Sequence, residues 1–215
     1  MNKIWIVVMT LVFPLVFALK ANAQIVSTES VKAEPRFSAS LGLGSSYGLG
    51  EEKTETIKDY KGSLVSSLRL GYSLSKYVEI QGEYSSGTKF RRNVENASYS
   101  QSIMRTFSTF TLNLKAGIPV KIKGFGFYPY LVVGAGKANA TWSGHFKNPV
   151  VEFDYSDSYK GKCSKAGIGV EVNLHKNIYA FSELNNWKVN WRYSDVQQNY
   201  VFVYKQILVG LTLKF

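Results

Sequence analysis

The chain has 215 residues, with 26 Lys and Arg against 15 Asp and Glu for a formal charge of +11, and it is rich in Tyr (14), Phe (13) and Gly (18). A single cysteine, Cys163, excludes an intramolecular disulfide scaffold, and without Cys/His spacing suited to zinc it reads as a small strand residue. The basic residues form no dense stripe, which argues against a nucleic-acid partner.

At the N-terminus Lys3 precedes the apolar run Ile4 to Leu19, followed by the small-residue site Ala21, Asn22 and Ala23. This is the pattern of a secretory signal peptide over residues 1–23. A spanning helix needs ~20 apolar residues; this run is shorter and contains Pro14, so an uncleaved anchor is the weaker alternative. With Lys3 and Lys20 removed the mature charge falls from +11 to +9. An exported protein with that balance meets anionic lipid headgroups or lipopolysaccharide phosphates, or its charge simply solvates the surface. Residues 24–35 form a polar lead-in and 36–215 a single domain.

Beyond the signal no stretch is long and apolar enough for a membrane helix, so only a closed barrel could span a bilayer, where every backbone N–H and C=O must be paired internally. Spanning strands of ~9–11 residues with alternating faces are what such a barrel requires. The first predicted strand, 36–47, sets Phe37, Ala39, Leu41 and Leu43 against Ser38, Ser40, Gly42 and Gly44. The second, 63–74, opposes Leu64, Leu68, Leu70, Tyr72 and Leu74 to Ser67, Arg69, Gly71 and Ser73, and forms a hairpin with 77–86, where Val78, Ile80 and Tyr84 oppose Glu79, Gln81 and Glu83. The fourth, 104–118, sets Phe110, Leu112, Leu114, Ala116 and Ile118 against Thr109, Thr111, Asn113, Lys115 and Gly117. In the fifth, 126–137, Gly134 and Gly136 favour even-numbered residues pointing inward. The sixth, 164–174, opposes Ala166, Ile168, Val170, Val172 and Leu174 to Lys165, Gly167, Gly169, Glu171 and Asn173. The seventh, 177–187, sends Glu183, and with it Tyr179 and Phe181, to the interior. The last, 199–215, sets Val201, Val203, Ile207, Val209, Leu211, Leu213 and Phe215 against Tyr204, Gln206, Gly210, Thr212 and Lys214, with Lys205 snorkelling from the apolar face to the headgroups.

Short connections near 75, 119–125 and 175 alternate with long ones near 48–61, 87–103, 138–162 and 185–198, as periplasmic turns alternate with extracellular loops in outer-membrane barrels. The predicted fold is therefore an all-β, antiparallel up-and-down transmembrane barrel of about eight strands. Whether 138–162 holds a further hairpin, giving ten, or long projecting strands stays open. The chain resembles the small outer-membrane barrels of the OmpA/OmpX and opacity-protein type over nearly all of its mature length. Gly210, Leu213 and Phe215 match the C-terminal signal by which that family is read by the barrel-assembly machinery. The resemblance implies a monomeric barrel of the outer membrane, with adhesins, serum-resistance factors and structural barrels among its kin; architecture alone does not choose between these roles.

The inward positions Arg69, Glu79, Glu83, Lys115, Glu171 and Glu183 place both signs of charge in one interior. An eight-stranded barrel has room only for side chains there, so an ion-paired filling is expected, and a proton or ion pathway or a narrow pore is the weaker reading. For chemistry there are two histidines: His175 falls in a periplasmic turn, and His145, two residues from Ser143, is a candidate dyad for an outer-leaflet lipid A-modifying enzyme. Glu152, Asp154 and Asp157 lack the loop spacing of a calcium site. No cofactor or metal is expected. Lys89, Arg91 and Arg92 in the second long loop, and Trp142, His145 and Tyr155 in the third, are the candidate contacts to host or envelope ligands, since aromatic and basic residues are enriched at interfaces; a headgroup girdle is the alternative use of the same aromatics. N-terminal sequencing of the protein from outer-membrane fractions is expected to begin at Gln24; a Met1 start would overturn the signal-peptide reading.

Overall fold

The computed structural model describes residues 37–51, 63–95, 98–122, 125–192 and 199–215, so the predicted signal and lead-in lie outside the described residues. Nine strands follow in chain order: β1 Phe37–Glu51, β2 Leu64–Ser73, β3 Val78–Glu95, β4 Ser100–Gly117, β5 Val120–Ile122, β6 Phe125–Lys147, β7 Glu152–His175, β8 Ile178–Arg192 and β9 Asn199–Lys214. All pair antiparallel with their sequence neighbours, except that β4 passes over the three-residue β5 to pair with β6 along its whole length. Because β1 also pairs with β9, eight strands form a closed ring, and β5 is a small flap folded on the start of β6. The short connection expected at 119–125 holds this extra strand.

The period-2 pattern decides which face each residue takes. On β1 Leu41 is 60% exposed while its neighbour Ser40 is 4% exposed. The same alternation runs through Leu68, Leu70, Leu112, Leu114, Leu131, Val133, Val209 and Leu211, all exposed on the outside, and Arg69, Asn113, Val132 and Glu183, all buried within. Even residues of β6 point inward, and Phe181 is buried, as the sequence suggested. An exposed apolar band backed by a buried polar interior is the inverse of a water-soluble sandwich and fits lipid outside.

Three turns show how the chain reverses on the side of the short connections and at the long hairpin. Lys176, at φ 37°, sits in the left-handed region between β7 and β8, and its carbonyl accepts from Asn173 Nδ2 at 3.1 Å. The β2–β3 turn is closed by Leu74 N to Val78 O at 2.9 Å. Between β6 and β7 the Asn148 Oδ1 accepts from Val150 N and Val151 N at 2.9 and 2.6 Å, a side-chain cap that makes the reversal tight.

The segments 87–103 and 138–162, expected as long loops, are mostly strand, as are 48–51 and 185–192. β6 and β7 have 23 and 24 residues and pair in one unbroken register from Phe127–Val172 to Lys147–Glu152. The chain thus has eight ring strands and no further hairpin in 138–162: the region is long projecting strand. Polar and aromatic residues such as Thr141, Trp142 and Ser143 mark the end of the membrane band rather than the end of the ladder, because strand pairing needs no hydrocarbon once two strands are already in register.

Ring closure depends on the C-terminal residues. Phe37 and Phe215 exchange backbone hydrogen bonds at 2.8 and 2.9 Å, and their rings stack at 6.4 Å. Gly210 lies directly opposite Gly42 across the seam and opposite Phe181 on β8, so the Phe181 ring fills the space that two absent side chains leave. A Cβ on Gly210 would overlap the Leu41 carbonyl oxygen and lie 2.7 Å from the Phe181 ring. Unboiled protein is expected to migrate faster than boiled protein on gels, and Gly210→Val to abolish the fast band; a fast band of undiminished intensity in that variant would show that the seam tolerates a side chain.

Candidate functional site

The interior is built in two layers. The lower one consists of two charge quartets, each with two cations and two carboxylates. In the first, Lys115 contacts Glu171 and lies 3.3 Å from Glu79, while Lys214 reaches Glu171 at 2.8 Å. In the second, Arg69 binds Glu183 through both terminal nitrogens, at 2.8 and 2.6 Å, and reaches Glu83 at 3.3 Å; Lys165 contacts Glu83 and lies 3.4 Å from Glu183. Neutral donors complete the carboxylates: Ser67 and Asn113 to Glu83 at 2.8 Å each, Tyr130 and Asn185 to Glu183 at 2.9 and 2.7 Å, and Ser38 to Glu79. A buried charge without a partner is costly, and each quartet is neutral as a unit.

Arg69, Glu79, Glu83, Lys115, Glu171 and Glu183, expected from their faces to share the lumen, are all brought together there. Lys165 and Lys214, which the sequence places on inward strand faces without pointing to their partners, complete the charge balance. The strand register explains the pairing, because Arg69 stands opposite Glu83 and Glu79 opposite Lys115, so ion pairs form across neighbouring strands before any long-range closure is needed.

Above the charges lies an aromatic layer of Phe90, Phe107, Trp187, Trp191, Phe202 and Tyr204, packed with Ala138, Ala140, Cys163 and Val189. Phe90 is 5.0 Å from Phe202 and 5.4 Å from Tyr204 between centroids, and Trp187 stacks on Tyr204 at 5.9 Å with 5° between planes. The layers are joined: Trp187 Nε1 donates to Gln206 at 2.9 Å, Gln206 to Ser85 at 3.3 Å, and Lys165 lies 5.5 Å over the Trp187 ring. Higher still, the buried Arg105 guanidinium sits 4.2 Å over the Trp142 ring and 5.8 Å from Phe202, a cation–π sandwich at the top of the filling.

Most of this layer was missed in the sequence, although the parity of β4, β8 and β9 extends without interruption to Phe107, Trp187, Trp191 and Phe202. Phe90 is different. A bulge at Ser86 and Gly87, where Gly87 adopts φ +87°, shifts the register of β3 by one residue and reverses its faces. Phe90 is therefore fully buried, while Lys89 and Arg91 point outward. The side chain of Arg92 lies outside the described residues.

The residues expected on loops stand on strands. Trp142 faces inward over Arg105, as described. His145 is on the outward face of β6, with Nδ1 2.8 Å from Asp154 and Nε2 3.4 Å from Glu152; Lys147 reaches Glu152 at 2.9 Å and holds that carboxyl below its usual range. Tyr155 lies against Gly144, accepts from Gln101 at 3.4 Å and is 6.3 Å from Phe153, which packs on Phe146 at 5.4 Å. Both histidine nitrogens face carboxylates, so neither is directed at the Ser143 hydroxyl. Among the described residues no group of His, Cys, Asp and Glu forms a metal cluster.

A closed ring of eight strands with a lipid-compatible exterior and a filled interior agrees with the comparison to known families, where the outer membrane protein beta-barrel domain matches residues 11–215. The chain belongs to that family. As an outer-membrane barrel it is an integral protein of that membrane. Among solved structures it is similar to the attachment invasion locus protein Ail of Yersinia pestis, with 16% identity over 85% of this chain and 99% of that one and a TM-score of 0.45. Neisserial surface protein A shares 11% identity over 84% and 97%, with a TM-score of 0.46. OprG of Pseudomonas aeruginosa shares 11% over 85% and 97%, with a TM-score of 0.45. No curated protein matches the sequence.

In this outer-membrane barrel Arg69→Met leaves Glu83 and Glu183 with Lys165 as their remaining cation. A loss of about 3–5 kcal/mol in stability is expected, the usual cost of breaking a buried pair from one side, measured by urea unfolding in detergent micelles. Adding Glu183→Gln should recover part of it. A variant as stable as the wild type would show that the quartet does not hold the barrel.

Proposed function

We propose that this barrel is a monomeric, non-enzymatic surface protein that serves binding or adhesion, or envelope integrity, through its projecting strands, with its interior closed to flow. One observation carries the reading. β3, β4, β6 and β7 remain paired in one continuous sheet well beyond the apolar band, up to Glu95–Ser100, Ser100–Lys147 and Lys147–Glu152. Above Lys137 the strand β6 runs on for about ten residues, roughly 33 Å at the usual rise. This wall carries recognition material on both faces: the charged ladder of His145, Asp154, Lys147 and Glu152 outside, and Tyr99, Phe146, Phe153 and Tyr155 on the other. Aromatic residues such as Tyr99, Phe146, Phe153 and Tyr155 are enriched at interfaces.

The interior supports the closed reading. Its quartets and aromatic layer occupy the width that eight strands enclose, and planar-bilayer recordings of purified protein are expected to show little or no stepwise conductance; regular conductance steps would favour the narrow pore. The carboxylate at His145 Nδ1 favours a second reading, a hydrolase acting on outer-leaflet lipid, since an acid that orients a histidine is part of many nucleophilic sites. Against it, Glu152 occupies the side of Nε2.

Cells displaying the protein are expected to adhere to immobilised extracellular-matrix proteins, and cells displaying a form shortened between Thr141 and Ser158, which face each other in register, to lose that adhesion while keeping the heat-modifiable band. Equal adhesion by both forms would overturn the binding role. The lipid A profile of cells carrying His145→Ala should match the wild type; loss of a modification would establish catalysis.

A further inference from the structure

The outer surface carries a feature that neither the filled interior nor the hairpin tips account for. Across four neighbouring strands the register places Tyr84, Phe110, Lys137 and Lys162 in one row, all pointing outward. The adjacent row continues Ser108, Asn139 and Lys160. Between these rows lies an open hollow of about 370 Å³, lined by Tyr84, Ser108, Thr109, Phe110, Lys137, Asn139 and Lys160, with Lys162 outside the lining as the cross-strand partner of Lys137.

Two physical facts make this place unusual. Lys137 and Lys162 are direct cross-strand partners, and like charges in that position repel. Among the described residues neither they nor Lys160 form an ion pair or hydrogen bond through their side chains; the nearest acids on the same outer face of the hairpin, Asp154 and Glu152, are engaged by His145 and Lys147. Among the described residues three cations are therefore gathered without a protein anion to balance them.

The position along the strands identifies what does. Directly below Lys137 on β6 come Ala135, Val133 and Leu131, and below Phe110 on β4 come Leu112 and Leu114; these are the outward residues of the lipid-facing band. On the neighbouring strands the band ends at Lys162 on β7, Lys188 on β8 and Lys205 on β9, one row lower at each step from β7 to β9. Strands in a barrel are tilted, so a level line around the wall steps across rows in this way. The lysines thus lie at one height, on the side of the projecting hairpins, where hydrocarbon gives way to headgroups.

We propose that the hollow lined by Lys137 and Lys160, with Lys162 across from Lys137, binds the phosphate of an outer-leaflet phosphorylated lipid, with the lysine ammonium groups on the phosphate oxygens, Asn139 and Ser108 as neutral donors, and the acyl chains descending over Phe110 and Leu112. The aromatic half of the row and the cationic half then serve the two ends of one amphipathic molecule. The inference stands apart from the adhesive role of the hairpins, because it concerns the wall below them.

The test uses the full-length protein folded in detergent and vesicles containing lipid A that carries two phosphates, against the same lipid with its phosphates removed. Wild-type protein should bind the phosphorylated lipid about tenfold more strongly or better, the order expected for a few surface lysines. Lys137→Gln/Lys160→Gln/Lys162→Gln should lose that preference, whereas the corresponding triple arginine variant should keep it, as should Lys121→Gln on the opposite rim. All these side chains are exposed, and the heat-modifiable band reports that each variant is folded. Equal binding of both lipids by the wild type, an undiminished preference in the triple glutamine variant, or full competition by millimolar inorganic phosphate, which would identify a free anion as the ligand, would each overturn the proposal.

Discussion

In hydrocarbon an unpaired backbone N–H or C=O has no water to turn to, and the whole molecule is arranged around that constraint. The seam between β1 and β9 is where it is met last, with pairs from Ser38–Lys214 to Glu51–Phe202 and a single irregularity at Gly48–Gly50. Closure at the seam requires the two backbones to lie close while Phe181 reaches across from β8, which is why glycine stands on both strands at Gly42 and Gly210. The terminal glycine that in the sequence resembles an assembly signal therefore has a local structural purpose at the seam.

Closure in turn decides the interior. Eight strands leave a lumen that side chains must fill, and the alternation that sends leucines to lipid sends their neighbours inward whether or not they are apolar. Charged residues are tolerable there only because the register brings opposite signs together: Arg69 faces Glu83 and Glu79 faces Lys115 on adjacent strands, and Glu171 and Glu183 arrive from the far side of the ring. The quartets and the aromatic layer are joined through Lys165, Trp187 and Gln206, and the guanidinium of Arg69 also lies 5.0 Å over the Phe181 ring. The filling thus runs from the charge quartets through the aromatic layer to Arg105 and Trp142.

Much of this was legible in the sequence, since faces are a property of parity and parity is local. The lipid band, the turns near 75 and 175, the place of Phe181 in the lumen and six members of the charge network all follow from counting alternate residues. What escaped did so for identifiable reasons. The projecting strands look like loops because the alternation changes sense where the membrane ends: outward residues such as Lys137, Asn139 and Thr141 become polar while inward ones such as Ala138, Ala140 and Phe107 become apolar, so the pattern of apolar outside and polar inside stops although the hydrogen-bond ladder continues. Phe90 escaped because one extra residue at Gly87 reverses the faces of β3, an event that composition does not announce. The flap β5 is too short for any period to be read.

The projecting sheet also bears on how recognition would work. A loop that binds must first be ordered, at a cost of about 1–2 kcal/mol for each residue fixed, whereas residues 138–147 and 152–160 are already held by a ladder shared with β4. Aromatic rings and ion pairs mounted on such a ladder present a surface whose ordering cost was met during folding, which is the condition under which a modest patch can bind well. The same continuity makes the wall asymmetric, since β3, β4, β6 and β7 rise together while β7 and β8 pair only as far as Gly161–Trp191. Among the described residues the sheet that rises beyond the apolar band therefore stands on one side of the barrel, and its orientation is set by the same strands that carry the lysines at the end of that band.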